Sequence, residues 1–159
     1  MRNAGTRAIR AMMAGLVAAA FVAVAALPAT SAAEPRAKVS VTVIHAKKGP
    51  PHLHDALKPM WDTLRQSFGD KFSYFDVVDT ASRSVEAGNP VEVRLPNGQR
   101  FAAIYNGVTP EKGLLRINVE MDDFRTKVRI HDGGVFFQAG RKHEGGILVV
   151  AVRAALLKD

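Results

Sequence analysis

The amino-acid sequence predicts an α+β domain, built mainly of antiparallel β-strands with one amphipathic helix packed on the sheet. Most of the chain after residue 38 alternates apolar and polar residues, which is typical of strands with one buried face. A single segment, residues 53–68, repeats its apolar side chains at the helical period instead. Turn residues separate the alternating segments, so the expected order is a β-α-β start followed by hairpins, about eight strands in all.

The N-terminal leader has the composition of a secretory signal peptide. Its first ten residues include three arginines and no acid, and an apolar run follows at residues 11–27. Pro28 then ends the run, and Ser31-Ala32-Ala33 supplies the small residues that a signal peptidase needs. Cleavage after Ala33 is therefore expected.

The expected organisation is a signal peptide at 1–33, a short tether at 34–38 and a single α+β domain at 39–159. Such a protein would be exported, to the periplasm or out of the cell. The alternative is a leader that stays in place as a membrane anchor, because its apolar run approaches the length of a transmembrane helix. Membrane association is expected only through such an uncleaved leader.

Charge and cysteine content narrow the possible partners. The full chain has a net charge of +7, and loss of the leader leaves 19 basic and 15 acidic residues, a net charge of +4. That charge is compatible with anionic lipid, polysaccharide or an acidic protein, but it is too small to indicate nucleic acid. The chain has no cysteine, so in an oxidising compartment the domain must be held together by packing alone.

The first strand and the helix are predicted from their periods. Val39, Val41 and Val43 alternate with Ser40 and Thr42, as in a strand with one buried face. One apolar stripe then indicates the helix. Its members are Leu53, Leu57, Met60, Trp61, Leu64 and Phe68. An interior proline is unfavourable, so Pro59 indicates that the first regular turn lies near residues 55–59.

The aromatic and β-branched residues 72–78 predict a strand after the helix, and the remaining strands are predicted as successive pairs. Asn97-Gly98 between two alternating runs is a strong hairpin signal, because both residues tolerate a positive φ. The next pair turns at Asp122-Asp123. The last pair, residues 135–139 and 147–151, flanks residues 140–146, and its continuous apolar run indicates strands covered on both sides at the centre of the core.

Three histidines form a candidate metal site, because an exported protein without cysteine would bind a transition metal through histidine and carboxylate. His45 ends the first strand, and His52 and His54 follow a short loop later. If that segment is extended, His52 and His54 point the same way and the three could share an ion; if it is helical, they diverge. The alternative is a polar loop with His54 or Asp55 near the helix N-cap.

The exposed face of the hairpin that turns at Asp122-Asp123 is a candidate anion- or partner-binding surface. Pairing through that turn places Arg116 near Arg129 and Asn118 near Lys127, and like charges directly opposite each other are destabilising. A function would explain their presence, although an ordinary solvated sheet face is the alternative. The candidate residues are Arg116, Arg125, Lys127, Arg129 and His131.

Catalytic chemistry is not indicated by any motif. The sequence has neither a Gly-x-Ser-x-Gly nucleophile motif nor a cysteine, and its Gly-Gly pairs read as turns rather than as a phosphate-binding loop. An enzyme is neither indicated nor excluded, and no cofactor is expected beyond a transition metal at the histidines.

Several short motifs of the predicted domain together resemble a group of small exported Gram-negative proteins of unknown function. They are Val41-Thr-Val-Ile-His-Ala46, Asp55-x-Leu57-Lys58, Phe72-Ser-Tyr74, Leu95-Pro-Asn-Gly98 and Gly145-Gly-Ile-Leu-Val149. The resemblance implies export and a similar domain, and it assigns no catalytic residue.

The function expected first is a small periplasmic or secreted non-catalytic module that contacts another envelope component, through a sheet face or an exposed edge strand. The alternatives are a histidine-based metal-binding protein or metal-dependent enzyme, and a binder of anionic lipid or glycan through the basic sheet face. The partner expected is an envelope protein or a polyanionic envelope component.

Overall fold

The structure is a computed structural model that describes residues 32–158. The predicted signal peptide lies outside the described residues except for Ala32 and Ala33. The chain from Ala32 onward forms one compact unit. Within the described part, no helix has the length and apolar character needed to cross a bilayer.

Nine strands in two sheets make up most of residues 32–158, with a single short α-helix and one 3-10 helix. The larger sheet has the order β2-β3-β1-β9-β8, and the smaller has the order β4-β5-β6-β7. The strands are β1 Ala37–Lys47, β2 His52–Leu53, β3 Tyr74–Val85, β4 Pro90–Arg94, β5 Arg100–Val108, β6 Leu115–Met121, β7 Phe124–Ile130, β8 Val135–His143 and β9 Gly146–Leu156. The pairing is antiparallel except between β2 and β3. The predicted α+β class is confirmed.

The main core lies between the two sheets, because the inward residues of both belong to one apolar cluster. Strand β9 contributes Leu148, Val150 and Val152 to that cluster, while Val149 and Ala151 face a second cluster beneath the helix. This explains the continuous apolar run of β9, since both faces of a central strand are covered. Strand β8 also contacts both clusters, one with each face. Its apolar side chains are only half-buried and it lies at the edge of the larger sheet, so the prediction that β8 lies at the centre of the core was wrong.

The helical segment is shorter than its apolar stripe predicts. His52–Leu53 is a strand paired with β3, Asp55–Met60 is a 3-10 helix that contains Pro59, and only Trp61–Phe68 is α-helical, labelled α1. Proline has no N–H to donate, and the tighter 3-10 turn before α1 accommodates it. The apolar stripe still does what its spacing predicts, because Leu57 and Leu64 are fully buried against the larger sheet.

The β4–β5 hairpin forms where Asn97-Gly98 predicts it, but its turn differs from the predicted one. Gly98 has a φ of +86°, whereas Asn97 does not adopt a positive φ. The amide N–H of Gly98 donates to the Leu95 carbonyl at 2.8 Å, and that of Leu95 donates to the Gln99 carbonyl at 2.8 Å. This longer connection, a four-residue turn followed by a glycine bulge, needs a positive φ only at the glycine.

Three further boundaries differ from the sequence prediction. Strand β3 continues to Val85, well past the predicted 72–78, and its register with β1 shifts between Val43 and Ile44. The β8–β9 hairpin closes at Glu144 and Gly145, with φ of 40° and 76°, so most of the predicted connection at 140–146 is strand. Strand β1 also begins at Ala37, inside the predicted tether.

Candidate functional site

The outer face of the smaller sheet carries the predicted basic residues. In β6, Leu115, Ile117 and Val119 are fully buried in the core, so the residues between them must point away from it. The register with β7 places Arg116 opposite Arg129 and Asn118 opposite Lys127. The predicted pairing of this hairpin is therefore what the structure shows.

These side chains line one concavity of about 620 Å³ on that face. We call it the basic groove. It is lined by Asn106, Arg116, Asn118, Lys127, Val128 and Arg129. Its volume lies in the range of small-molecule and cofactor sites. Three cations and two amides thus line one depression. The sequence alone could predict the charged residues on this face but not the depression itself. Asn106, contributed by β5, has no motif that could have identified it.

The charges in the basic groove are only partly compensated. Arg116 and Arg129 are direct cross-strand neighbours, an arrangement that costs stability. Within residues 32–158, neither Lys127 nor Arg129 forms an ion pair with a carboxylate, whereas Arg116 lies 3.5 Å from the Glu34 carboxylate. The groove is therefore a site of positive charge that an anion would relieve.

The two other predicted members of the basic patch lie outside the basic groove. Arg125 lies opposite Glu120 and forms an ion pair with it at 3.9 Å, in an adjoining concavity. His131 follows the end of β7, where its carbonyl accepts a hydrogen bond from Gly134. Of the five predicted residues, Arg116, Lys127 and Arg129 line the basic groove, and Lys127 also lines the adjoining concavity with Arg125.

A bulge in β5 lies directly opposite Arg116. Tyr105 pairs with Ile117 and Val108 pairs with Leu115, so Asn106 and Gly107 together oppose one residue of β6. Bulges of this kind redirect side chains and leave a backbone group unpaired. Here the Val108 N–H turns away from β6 and donates to the Glu34 carboxylate at 3.2 Å.

The segment at 34–36 is held against the sheets by its backbone as well. The hydroxyl of the buried Tyr105 donates to the Pro35 carbonyl at 2.8 Å, and the Leu157 N–H donates to the Arg36 carbonyl at 2.9 Å. Burial raises the pKa of the Tyr105 hydroxyl, and the negative charge of Glu34 adds to the rise. The predicted tether is thus a docked segment.

The three candidate metal ligands do not meet at one point. His45 Nε2 lies 3.0 Å from the His143 carbonyl oxygen, and His52 Nε2 lies 3.5 Å from an Asp76 oxygen. His54 caps the 3-10 helix, where its Nδ1 accepts from the Ala56 N–H at 3.1 Å. The segment is extended, as the metal hypothesis requires, yet no group of three or more His, Asp or Glu among residues 32–158 is arranged to hold an ion.

The β8 edge of the larger sheet is less promising as a docking surface than the sheet face. Strand β8 is an edge of the larger sheet and carries Arg141 and Lys142. Charged residues on an edge discourage pairing with a further strand. Arg141 is also held to Asp123, at the β6–β7 turn, at 3.1 Å. The sheet face, rather than the edge, therefore carries the better candidate.

No protein-family model, curated protein or solved structure matches the chain. The resemblance to small exported proteins stays a prediction.

Proposed function

We propose that this protein is a binding module that holds an acidic polysaccharide in the basic groove. The observation that carries the proposal is the convergence of Arg116, Lys127 and Arg129 on one concavity of about 620 Å³. Guanidinium and ammonium groups bind carboxylates by charge-assisted hydrogen bonds. A polymer of charged sugars would supply those carboxylates at intervals.

The two amides in the groove support a sugar ligand. Asn106 and Asn118 stand among the cations, and an amide offers both donors and an acceptor. Sugar hydroxyls need such partners, whereas a ligand with only phosphate or carboxylate groups does not need the acceptor. The mixture of charged and amide groups thus suits a ligand that carries hydroxyls beside its anionic groups.

A lipid surface suits this face less well. Membrane-surface binding combines basic residues with apolar side chains that enter the acyl region. Among residues 32–158, the large apolar side chains classed as exposed are Val78 and Phe124. Phe124 is an odd number of positions away from Lys127 and Arg129 along β7, so it points to the opposite face of the strand. Apolar anchors therefore do not accompany the basic groove.

The proposed location follows from the predicted leader. An exported protein would meet acidic polysaccharide in the envelope or outside the cell, and a binding role agrees with the lack of catalytic motifs in the sequence. The envelope partner in this proposal is the polymer itself, and protein partners would have to use another surface.

The proposal is tested by comparing the full chain with the double variant Lys127→Gln/Arg129→Gln. We expect the dissociation constant for polygalacturonate, measured by calorimetry at low salt, to rise about tenfold, since each exposed ion pair is worth up to about 1 kcal/mol. The control double variant Lys38→Gln/Arg83→Gln removes the same charge from exposed positions on the larger sheet and should change the constant little. Added salt should weaken binding.

Two results would overturn the proposal. Equal binding by the groove variant and the wild type would show that the groove is not the site. Binding to phosphatidylglycerol vesicles, without binding to polygalacturonate, would favour the lipid alternative. Neutral dextran serves as the control for contacts that do not depend on charge.

A further inference from the structure

The basic groove borders a small carboxylate site that the chain itself occupies. One oxygen of the Glu34 carboxylate accepts a hydrogen bond from the Val108 N–H at 3.2 Å, and the other lies 3.5 Å from an Arg116 guanidinium nitrogen. Two donors, one from the backbone and one from a side chain, thus contact the two oxygens of one carboxylate. We call this arrangement the carboxylate cradle.

The backbone at Gly107 is shaped to admit that carboxylate. Gly107 has a φ of +83°, and a methyl group on its Cα would collide with the Glu34 carboxylate. Glycine is therefore favoured here by the positive φ, and its lack of a side chain leaves the space that the Glu34 carboxylate occupies. A bulge that turns an N–H outward and leaves the space in front of it open is suited to receiving an anion.

Glu34 does not satisfy all the hydrogen-bond donors of the carboxylate cradle. The Glu34 side chain remains 42 % exposed, and its ion pair with Arg116 lies near the outer limit of distance. The Arg116 Nε is buried and has no hydrogen-bond partner within residues 32–158. A guanidinium that is held by one weak contact still has donors for a better-placed ligand.

From these contacts we infer that Glu34 is an internal, displaceable occupant of the ligand site, and that the group recognised by the cradle is a carboxylate. This inference rests on the proposed function and deepens it. A uronate carboxylate of the bound polysaccharide replaces the Glu34 carboxylate on Arg116 and Val108, while its neighbouring sugars lie along Lys127 and Arg129. The docked segment therefore lowers the affinity of the groove until a ligand displaces Glu34.

The direct test is the variant Glu34→Gln in the full chain. Loss of the competing charge should tighten polygalacturonate binding by up to about fivefold, the factor that corresponds to one exposed ion pair. Arg116→Gln should weaken binding, and in the Arg116→Gln background the Glu34→Gln change should have a smaller effect, because only the Val108 N–H then holds the Glu34 carboxylate. Glu144→Gln, in the β8–β9 turn outside the groove, makes the same change of net charge and should leave binding unchanged.

A second readout is independent of affinity. In an NMR titration with polygalacturonate, the Val108 amide resonance of the wild type should shift, because its acceptor changes. The inference is overturned if Glu34→Gln binds no tighter than wild type, if it tightens binding equally in the Arg116→Gln background, or if the Val108 resonance does not move.

The two failures are distinguishable. If binding depends on Lys127 and Arg129 but not on Glu34, the proposed function stands and the internal occupant is wrong. If the double variant at Lys127 and Arg129 binds like wild type, the proposed function itself fails.

Discussion

Reversing one charge in the basic groove should stabilise the fold. Arg129→Glu converts the like-charged pair of Arg116 and Arg129 into an opposite-charged pair at the same cross-strand position. Cross-strand charge pairs contribute about 0.2–1 kcal/mol, with the sign set by their charges. Arg116 is 43 % exposed, so solvent screening reduces the gain. We expect the free energy of unfolding to rise by about 0.5 kcal/mol, which corresponds to a Tm increase of about 2 °C.

The same strand supplies a matched control of opposite sign. Arg125 lies opposite Glu120 and pairs with it, so Arg125→Glu creates a like-charged pair there. Both variants change the net charge by the same amount, yet the first should stabilise the domain and the second should destabilise it. A general effect of net charge would move both in the same direction.

The assay is urea unfolding followed by circular dichroism at low and high salt. The difference between the two variants should shrink as salt rises, because screening weakens exposed pairs. Arg129→Glu should at the same time abolish polygalacturonate binding at the groove. The reasoning is refuted if Arg129→Glu destabilises the domain, or if both reversals shift stability in the same direction by the same amount.

Two further predictions concern the packing beneath the helix and the docked segment. Leu64→Ala should lower the free energy of unfolding by about 2–5 kcal/mol, because Leu64 is fully buried; the exposed neighbour Gln66→Ala should stay within about 0.5 kcal/mol of wild type in the same urea experiment. For Tyr105, the raised pKa means that the folded state favours the neutral hydroxyl. Its contribution to stability is therefore fully present below about pH 10, the ordinary pKa of a tyrosine. It is lost as the pH rises through the higher pKa that Tyr105 has in the folded state. Urea unfolding between pH 8 and 11 should show a steeper loss for wild type than for Tyr105→Phe, and parallel curves would contradict this.

The prediction of elements succeeded where local pattern decides structure. Alternation in β6 and β7 determines which side chains point away from the core. The turn at Asp122-Asp123 sets the pairing of the two strands, so the position of Arg116 opposite Arg129 was predicted and is confirmed. Helix length could not be predicted in the same way. The apolar stripe of 53–68 is as regular in the strand and 3-10 turn as in α1, and only Pro59 marks the change.

The candidate site shows the limit of the same reasoning. Strand order along the chain does not reveal that Asn106 joins Lys127 across β6, because that depends on three strands pairing in one sheet. The same holds for the histidines. Their proximity in the sequence suggested that His45, His52 and His54 share a site. In the structure His45 contacts the His143 carbonyl and His52 contacts the Asp76 carboxylate.

The α+β class, the continuous burial of β9 and the alternation that places cations on one sheet face could all be predicted from local pattern, because they follow from which residues avoid water over short distances. The edge position of β8, the bulge opposite Arg116 and the contact of Glu34 with Arg116 arise from long-range pairing instead. These contacts join residues as far apart as Glu34 and Arg116. Their proximity depends on how the strands pair and how the chain returns across them, which no local pattern encodes.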